Sequence, residues 1–591
     1  FFTSNRDFRP IYSWTEWNHA YTDMSKVYFV TLEKTTPSPF GPENDEVKIK
    51  PASEEKNDPV ASDKGKTDDK KKEKESKEVT VKVDADGIIG RIMALPVDPS
   101  GYGGISIVGD YVFYVRFDSR DRKENGLKVF NLKDKKESSL GEWMSYEISA
   151  DQQKMVVGSG NKYGIIDLPK GGKAEVKDWV DMKNMKVMVD LAAEWKQIYE
   201  ESWRQMKHFL YVPNLHGVDW DKIRRKYEPL LPFVKNRNDL NYVIGEMIGE
   251  LSVGHAYVNG GDKAEPGRIK LGLLGARISR DGSGYYKIDK ILKGENSTKP
   301  VRSPLTEVGV DAREGDFIIA IDGRPTNTMN DYNEALISKA NVQVELTLSS
   351  TPSEKDSRKV LVVPVDDEAG LYYYNWVHEN IRKVTEATNG EVGYIHIPDM
   401  SAEGLNEFVK YFFPQLAKRA LIIDDRGNGG GNVSPMIIER LNREMTMITM
   451  ARNTEQAPGR LPMHWGPKCI LIDNYSASDG DLFPYQFKKL KIGKAIGKPT
   501  WGGVVGIRGS LPFIDGGQMM RPEFAPYDNE GKNWIIEGYG VDPDIEVDND
   551  PALEYAGTDE QLNKAIELMK EELKSWPKDL PAMPPFPDKS K

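Results

Sequence analysis

The run CILIDNYSASDGDLFPY (469–485) sets a serine where a short apolar strand breaks at a small-residue turn and a helix begins, at Ser478. A hydroxyl held there lies beside the free N–H groups and the positive dipole end of the helix, where a developing oxyanion is stabilised. A hydrolase keeps its nucleophile in such a place. Ser476 or Ser478 would serve equally as a plain helix cap, with Asp479 and Asp481 complementing the dipole. A glycine run, RGNGGGN (426–432), follows a second apolar strand, ALIID. From Gly427 its frame reads G-x-G-x-x-N with no lysine after it, which argues against a phosphate loop. Glycines here instead let bare backbone N–H groups approach a reacting carbonyl, as an oxyanion hole requires.

A serine nucleophile needs a base, and the choices are histidine or lysine. Of the seven histidines, His378 and His396 sit within apolar or aromatic runs, and His19, His208, His216 and His464 have no catalytic context. His255, in GHAYV just past a helix end, is the candidate by loop placement. No H-E-x-x-H or clustered ligand pattern points to a metal. The single cysteine, Cys469, cannot form an intrachain disulfide and reads as inert core.

The elements that must carry these groups follow from periodicity. Between about 372 and 572 strands and helices alternate: GYIHIPD, a helix over 403–419, ALIIDDR, a helix over 434–444, then the Ser478 unit. This predicts an α/β domain of parallel strands with its reactive loops at their carboxyl ends. From about Met182 the period is helical: Leu191, Trp195, Ile198, Ser202, Met206 and Phe209 share a face, with Trp203 beside them. A second helix carries Leu240, Val243, Ile244, Met247 and Leu251. Residues 266–365 form a β-rich unit with a helix expected over 329–340 and the strand VQVELTLSS. Within it GDFIIAIDGRP (315–325) resembles the hallmark of a PDZ domain, and 271–278 its carboxylate-binding loop. Such a domain adds a peptide as an extra strand and holds its terminal carboxylate on N–H groups, or is retained as a spacer. Residues 1–180 hold short β runs spaced like propeller blades, too few to close a ring. From about 41 to 82 the chain is Lys, Glu, Asp and Pro with no aromatic residue, a solvated insertion that cannot bury enough apolar surface to order itself.

A chain of 591 residues suggests about four domains. No apolar run approaches the about 18 residues of a membrane helix, so no membrane-spanning segment is expected. A net charge of −11 argues against a nucleic-acid binder and mildly favours cationic or neutral ligands. The opening FFTSNRDFRP lacks the basic-then-apolar order of a secretory signal and reads as the middle of a domain, so a fragment or processed product is expected.

Gly254-His255-Ala256-Tyr257, the PDZ unit, Asp-Arg-x-Asn-Gly-Gly-Gly, Ser-Asp-Gly-Asp-x-Phe-Pro-Tyr and IIEGYGVDPDIEV occur in one order, and together they resemble the tricorn protease family of the tail-specific serine peptidase group. The resemblance covers all but the charged insertion. It implies a multidomain fold: a partial β-propeller over 1–181, a helical domain carrying the base over 182–262, a PDZ domain over 263–366 and an α/β serine peptidase domain over 367–591. It also implies Ser478 as nucleophile, His255 as general base, Glu537 as the acid supporting the base, and the N–H of Asp479 with that of Gly430 or Gly431 as the oxyanion hole. One position departs: Gly254 stands where the family commonly has a serine. The link from Glu537 to His255 is then expected to be direct, water-mediated, or made by a neighbour such as Ser252. Relatives with a lysine base carry it in a segment like T-F-G-K-G, where this chain reads T-W-G-G-V with Gly503. Further expectations are hydrolysis of oligopeptides through an acyl-enzyme, no cofactor or metal, assembly as a homo-oligomer, and a cytoplasmic location, or a periplasmic one if a signal peptide has been removed. The acidic balance weakly favours basic residues before the cut. A peptide-binding scaffold with a weakened catalytic centre, or an esterase for small molecules, are the other readings.

Overall fold

The computed structural model describes residues 1–7, 11–12, 19–41, 81–459, 462–508 and 511–590. Nearly all of the expected charged insertion lies outside the described residues. The chain divides into two compact units, 1–187 and 188–591.

In the first unit, alternating apolar residues stack antiparallel sheets face to face. A four-stranded sheet runs Gly101–Val108, Tyr111–Phe117, Gly126–Asn131 and Lys136–Gly141, the strand count of a propeller blade. One face of it, with Phe113, Val115 and Val129, packs on Met155 and Val157 of a three-stranded sheet. The other face, with Val112, Tyr114 and Phe130, meets Val27, Phe29 and Leu95. The strands flanking the insertion, Lys26–Val30 and Ile92–Ala94, pair antiparallel.

The second unit opens with three helices: α1 (Leu191–Phe209), α2 (Trp220–Tyr227) and α3 (Arg237–Gly249). Asp190 caps α1 by accepting from the Ala192 and Ala193 N–H groups, and Asn236 caps α3 in the same way. The apolar stripe of α1 buries Ile198, Tyr199 and Met206 against Leu240, Ile244 and Met247. Leu191 and Phe209, at the two ends of the expected stripe, are exposed. Phe513 and Met519 join this core from far along the chain. They reach it because the strand Tyr257–Asn259 pairs antiparallel with Gln518–Met520.

Next comes an antiparallel sheet, ordered Ala276–Arg280, Tyr286–Ile291, Phe317–Ile321, Val344–Ser349 and Arg358–Val362, with Ala276–Arg280 at its edge. The helix expected over 329–340 is reduced to one 3₁₀ turn, Tyr332–Leu336. Asp331 starts it with a capping box, Ile337 leaves helical backbone and Ser338 is left-handed. The expected carboxylate-binding loop is occupied from within: the Gly275 N–H donates to Glu368 Oε1 at 2.6 Å.

The last layer is a wholly parallel sheet in the order Val392–His396, Ala420–Asp424, Lys468–Ile472, Gly493–Gly497, Ile545–Glu546. Its three leading strands are buried at every position, as a sheet covered on both faces requires. One face carries α4 (Ala369–Ala387) and, after the short α8 (Pro551–Tyr555), α9 (Glu560–Ser575). The other carries α5 (Ala402–Phe412), α6 (Ser434–Leu441) and α7 (Asp479–Lys489). Helix α5 stops short of the expected 419 because Pro414 has no N–H to continue it, and the chain closes in a 3₁₀ turn, Phe413–Gln415. Helix α6 likewise stops at Leu441 rather than 444.

Arg237 of α3 and Asp515 form a buried ion pair at 2.5 Å, their side chains 1% and 2% exposed, tying the helical layer to the 513–520 segment. Asp515→Ala leaves that guanidinium buried without its counter-charge. It should cost about 3–5 kcal/mol, read as a lower denaturant midpoint of the tryptophan fluorescence transition.

Candidate active site

Both expected reactive loops leave the carboxyl ends of neighbouring strands. After Ala420–Asp424 the chain turns at Asp425 and Arg426 into the glycine run. Arg426 fixes this turn by binding Asp424 at 2.6 Å and Asp559, the cap residue of α9, at 2.9 Å. Burial alone would raise the Asp424 carboxyl, yet the Arg426 guanidinium holds it below its ordinary range. Asp425 is pushed well up by burial and by the neighbouring Asp424, Asp473 and Asp481. Its Oδ1 accepts from Asn428 Nδ2 at 2.9 Å, and Asn428 Oδ1 accepts from the Gly430 N–H at 2.9 Å.

Beyond Lys468–Ile472 the turn from Asp473 to Ala477 is pinned to this glycine loop. Ser476 Oγ donates to the Asp425 carbonyl at 2.8 Å, and the Ala477 N–H donates to the Asn428 carbonyl at 2.9 Å. Ser476 is therefore a fully buried structural hydroxyl. Ser478 differs: it is part-exposed, at φ 60° and ψ −116°, a strained conformation for an L-residue that lifts it to the cap of α7. Asp481 holds it there, accepting from the Ser478 N–H at 2.7 Å. The glycine loop closes directly on it, since a Cβ on Gly430 would fall 2.6 Å from Ser478 Cβ and 3.2 Å from Asp479 N.

Of the expected oxyanion donors, Gly430 and the Asp479 N–H lie beside Ser478, and Gly431 follows on the same loop. The Gly430 N–H is already engaged by Asn428, whereas the N–H groups of Gly431 and Asp479 donate to no other group among the described residues. The Asp479 side chain turns away, binding the Ser434 N–H at 2.9 Å and its hydroxyl at 2.5 Å at the start of α6.

His255 arrives from the helical layer. Its ring meets the edges of Trp501, at 5.3 Å between centroids, and Tyr257, at 5.8 Å. Burial lowers its pKa and the nearby Glu537 carboxylate pulls the other way, the net shift being downward. His255 and Ser478 are both referenced to the 501–505 segment. Asp481 accepts from the Gly502 N–H at 2.7 Å and the Gly503 N–H at 3.3 Å, and the Trp501 N–H donates to the Ser476 carbonyl at 3.0 Å. On the other side, Glu537 Oε2 accepts from Val504 and Val505 at 2.7 and 3.0 Å, while Oε1 accepts from the Gly254 N–H at 3.0 Å. Ile536 supports Glu537 at φ 44°, rare for a β-branched residue.

Of the expected routes from Glu537 to His255, a direct bond and one through Ser252 are absent among the described residues. Glu537 grips the backbone beside the histidine instead of its ring. Sequence reasoning read Asp481 only as a dipole complement and did not single out Tyr257, Trp501 or Asn428. The capping position of Asp481, three residues after Ser478, was the one local signal available.

Four family profiles match this arrangement: the tricorn protease second β-propeller domain over residues 1–169, the tricorn protease C1 domain over 191–249, the tricorn protease PDZ domain over 272–367, and Peptidase family S41 over 391–547. Tricorn protease homolog 1 of Streptomyces coelicolor is 31% identical over 601 residues, taking in 99% of this chain and 55% of that protein. The chain belongs to the tricorn protease family. The Tricorn protease of Thermoplasma acidophilum is 34% identical over 412 residues, 70% of this chain and 38% of its own length. The crystal structure of the tricorn protease matches with a TM-score of 0.81 at 28% identity, covering 97% of this chain and 54% of that one. The chain spans about half the length of the curated tricorn relatives it matches. It therefore combines propeller sheets, helices, a PDZ module and an S41 domain in one molecule. Among the described residues, no helix is long and apolar enough to cross a membrane.

Gly430→Ala should displace the hydroxyl, because the added methyl meets Ser478 Cβ and the φ of +84° already disfavours any side chain. Fluorophosphonate labelling of the folded variant should slow about 10²-fold, the cost of an ångström-scale misplacement.

Proposed function

We propose that this chain is a serine peptidase that cleaves oligopeptides through an acyl-enzyme. The observation that carries the reading is the closure of the glycine loop, at Gly430, on the strained, part-exposed Ser478, with the Asp479 and Gly431 N–H groups donating to nothing else among the described residues. Ser478 Oγ attacks the peptide carbonyl while His255 Nε2 takes its proton. The oxyanion is held by Asp479 N–H and, of the two glycines, by Gly431, because the Gly430 N–H is bound to Asn428. His255 returns its proton to the leaving amine, and water then releases the acyl group. Glu537 supports the base through its charge and through the backbone at Gly254. No lysine competes as the base, since Gly503 occupies the place where related dyad enzymes carry one.

Oligopeptides as the substrates, a homo-oligomeric assembly and a cytoplasmic location, or a periplasmic one if a signal peptide has been removed, are part of this proposal and are supported by family resemblance. So is the division at 1–181, 182–262, 263–366 and 367–591.

A fluorophosphonate probe should label Ser478, and Ser478→Ala or His255→Ala should abolish labelling and lower kcat by about 10⁴-fold or more on an internally quenched peptide. Absence of labelling in folded wild-type protein would overturn the proposal. The base must be neutral to act, so activity falls as pH drops through the His255 pKa. Because burial lowers that pKa, the acid limb of kcat/KM should have its midpoint below the ordinary histidine value of about 6.5.

A further inference from the structure

The two ring nitrogens of His255 have opposite surroundings. Nε2 is buried and bonded to nothing among the described residues, whereas Nδ1 lies 3.2 Å from the Tyr257 hydroxyl. Glu537, the acid expected to orient the ring, is engaged by the amides of Gly254, Val504 and Val505. Building on the peptidase reading above, we propose that Tyr257 is the positioning residue of the base: its hydroxyl oxygen accepts from Nδ1–H and so leaves the Nε2 lone pair for the Ser478 proton. Tyr257 stands two residues from His255 on the strand that pairs with Gln518–Met520, so the sheet fixes its hydroxyl relative to the ring. When Ser478 gives its proton to Nε2, the Nδ1 proton stays where it is, and the tyrosine oxygen lone pair stabilises the imidazolium charge through that hydrogen bond. Tyr257 keeps its own proton, which burial and the Glu537 charge both make harder to remove. The charged or titratable groups facing the ring are Tyr257 and Glu537, with Trp501 closing the third side and Tyr211 responding to the same carboxylate.

The test is Tyr257→Phe in the full chain, which keeps the ring and removes the hydroxyl. Expected are a fall in kcat of about 10- to 100-fold with KM within about twofold, and an acid limb moved to lower pH, because the imidazolium loses its acceptor. Nitrogen NMR of the histidine ring should show the Nδ1–H tautomer in the wild type and a mixture in the variant. A variant with wild-type kcat and an unmoved limb overturns the proposal. A lower melting temperature or a raised KM with an unmoved limb marks mere packing and overturns it too. If the wild type itself neither labels nor cleaves, the peptidase reading has failed instead, so the two failures are distinguishable.

A separate observation concerns the PDZ module. Glu368, which precedes α4, places its carboxylate on the Gly275 N–H at 2.6 Å, on the loop that would hold a peptide's terminal carboxylate. The first turn of α4 follows it in: Leu371 is fully buried, its Cδ1 3.3 Å from where a Gly275 Cβ would be, and the Arg277 guanidinium of the edge strand lies 5.7 Å from the centre of the Tyr372 ring. We infer that Glu368 and Leu371 imitate a peptide C-terminus and keep this module closed to ligands with a free carboxylate. Wild-type protein should not bind a fluorescein-labelled hexapeptide ending in leucine. Glu368→Ala or Glu368→Gln should bind it at least about tenfold more tightly than its C-terminal amide, the loss expected when a built-in polar partner is missing. Equal binding by wild type and variants, or no gain in whichever variant stays folded, overturns the inference.

Discussion

Two carboxylates, the fully buried Asp481 and the part-buried Glu537, gripping one stretch of backbone are what the rest of this molecule depends on. Asp481 holds the Gly502 and Gly503 amides and, with the same group, the N–H of Ser478. Glu537 holds the next two amides and that of Gly254, the neighbour of His255. Hydrogen bonds to a charged group contribute about 1.5–3 kcal/mol each, against a cost of about 1–3 kcal/mol for one residue held in sparsely populated backbone space. Burial raises the Asp481 carboxyl and its hydrogen bonds pull it back down, so those bonds work against both the desolvation of Asp481 and the strain at Ser478. Ser478 of the S41 domain and the backbone beside His255 in the helical layer are thus referenced to one segment, 501–505.

The sheet supplies the rigidity behind this clamp. Strands buried on both faces, Ala420–Asp424 and Lys468–Ile472, end side by side, so the two loops that leave them start from fixed points. Polar chemistry is confined to those ends. The Arg426 guanidinium holds the Asp424 carboxyl below its ordinary range, while burial and three neighbouring carboxylates push Asp425 well above it, and Asp425 Oδ1 props Asn428 by a hydrogen bond. A single apolar register therefore fixes both the position and the electrostatics of the glycine loop.

What the sequence made legible was contiguous. The Ser478 turn, the glycine run and the helical stripe around Ile198 and Met206 each occupy a few successive turns or strands, and the residues that define them are neighbours in the chain. The bond from the Gly430 N–H to Asn428, which distinguishes that glycine from Gly431, is not written in the glycine run itself. The contact of Glu537 with Gly254 joins residues 283 apart, and no local pattern announces it. The same holds for Phe513 and Met519, which complete a helical core from a segment that reads as part of the catalytic layer. The helix expected over 329–340 failed locally: the 3₁₀ turn ends at Leu336, Ile337 leaves helical backbone and Ser338 is left-handed. Tyr257 was read only as part of the Gly-His-Ala-Tyr motif, because a tyrosine on a short strand carries no chemical signature until its hydroxyl is found beside an imidazole.

The most direct measurement of the clamp is a crystal structure of the full chain carrying a phosphonate adduct on Ser478. The account predicts the phosphonyl oxygen between the Asp479 and Gly431 amides and His255 Nε2 within about 3.2 Å of the bonded oxygen, with Glu537 still on the amides of 254, 504 and 505. An adduct whose oxygen points away from the glycine loop, or a His255 ring in a separate pocket from the adduct, would contradict it.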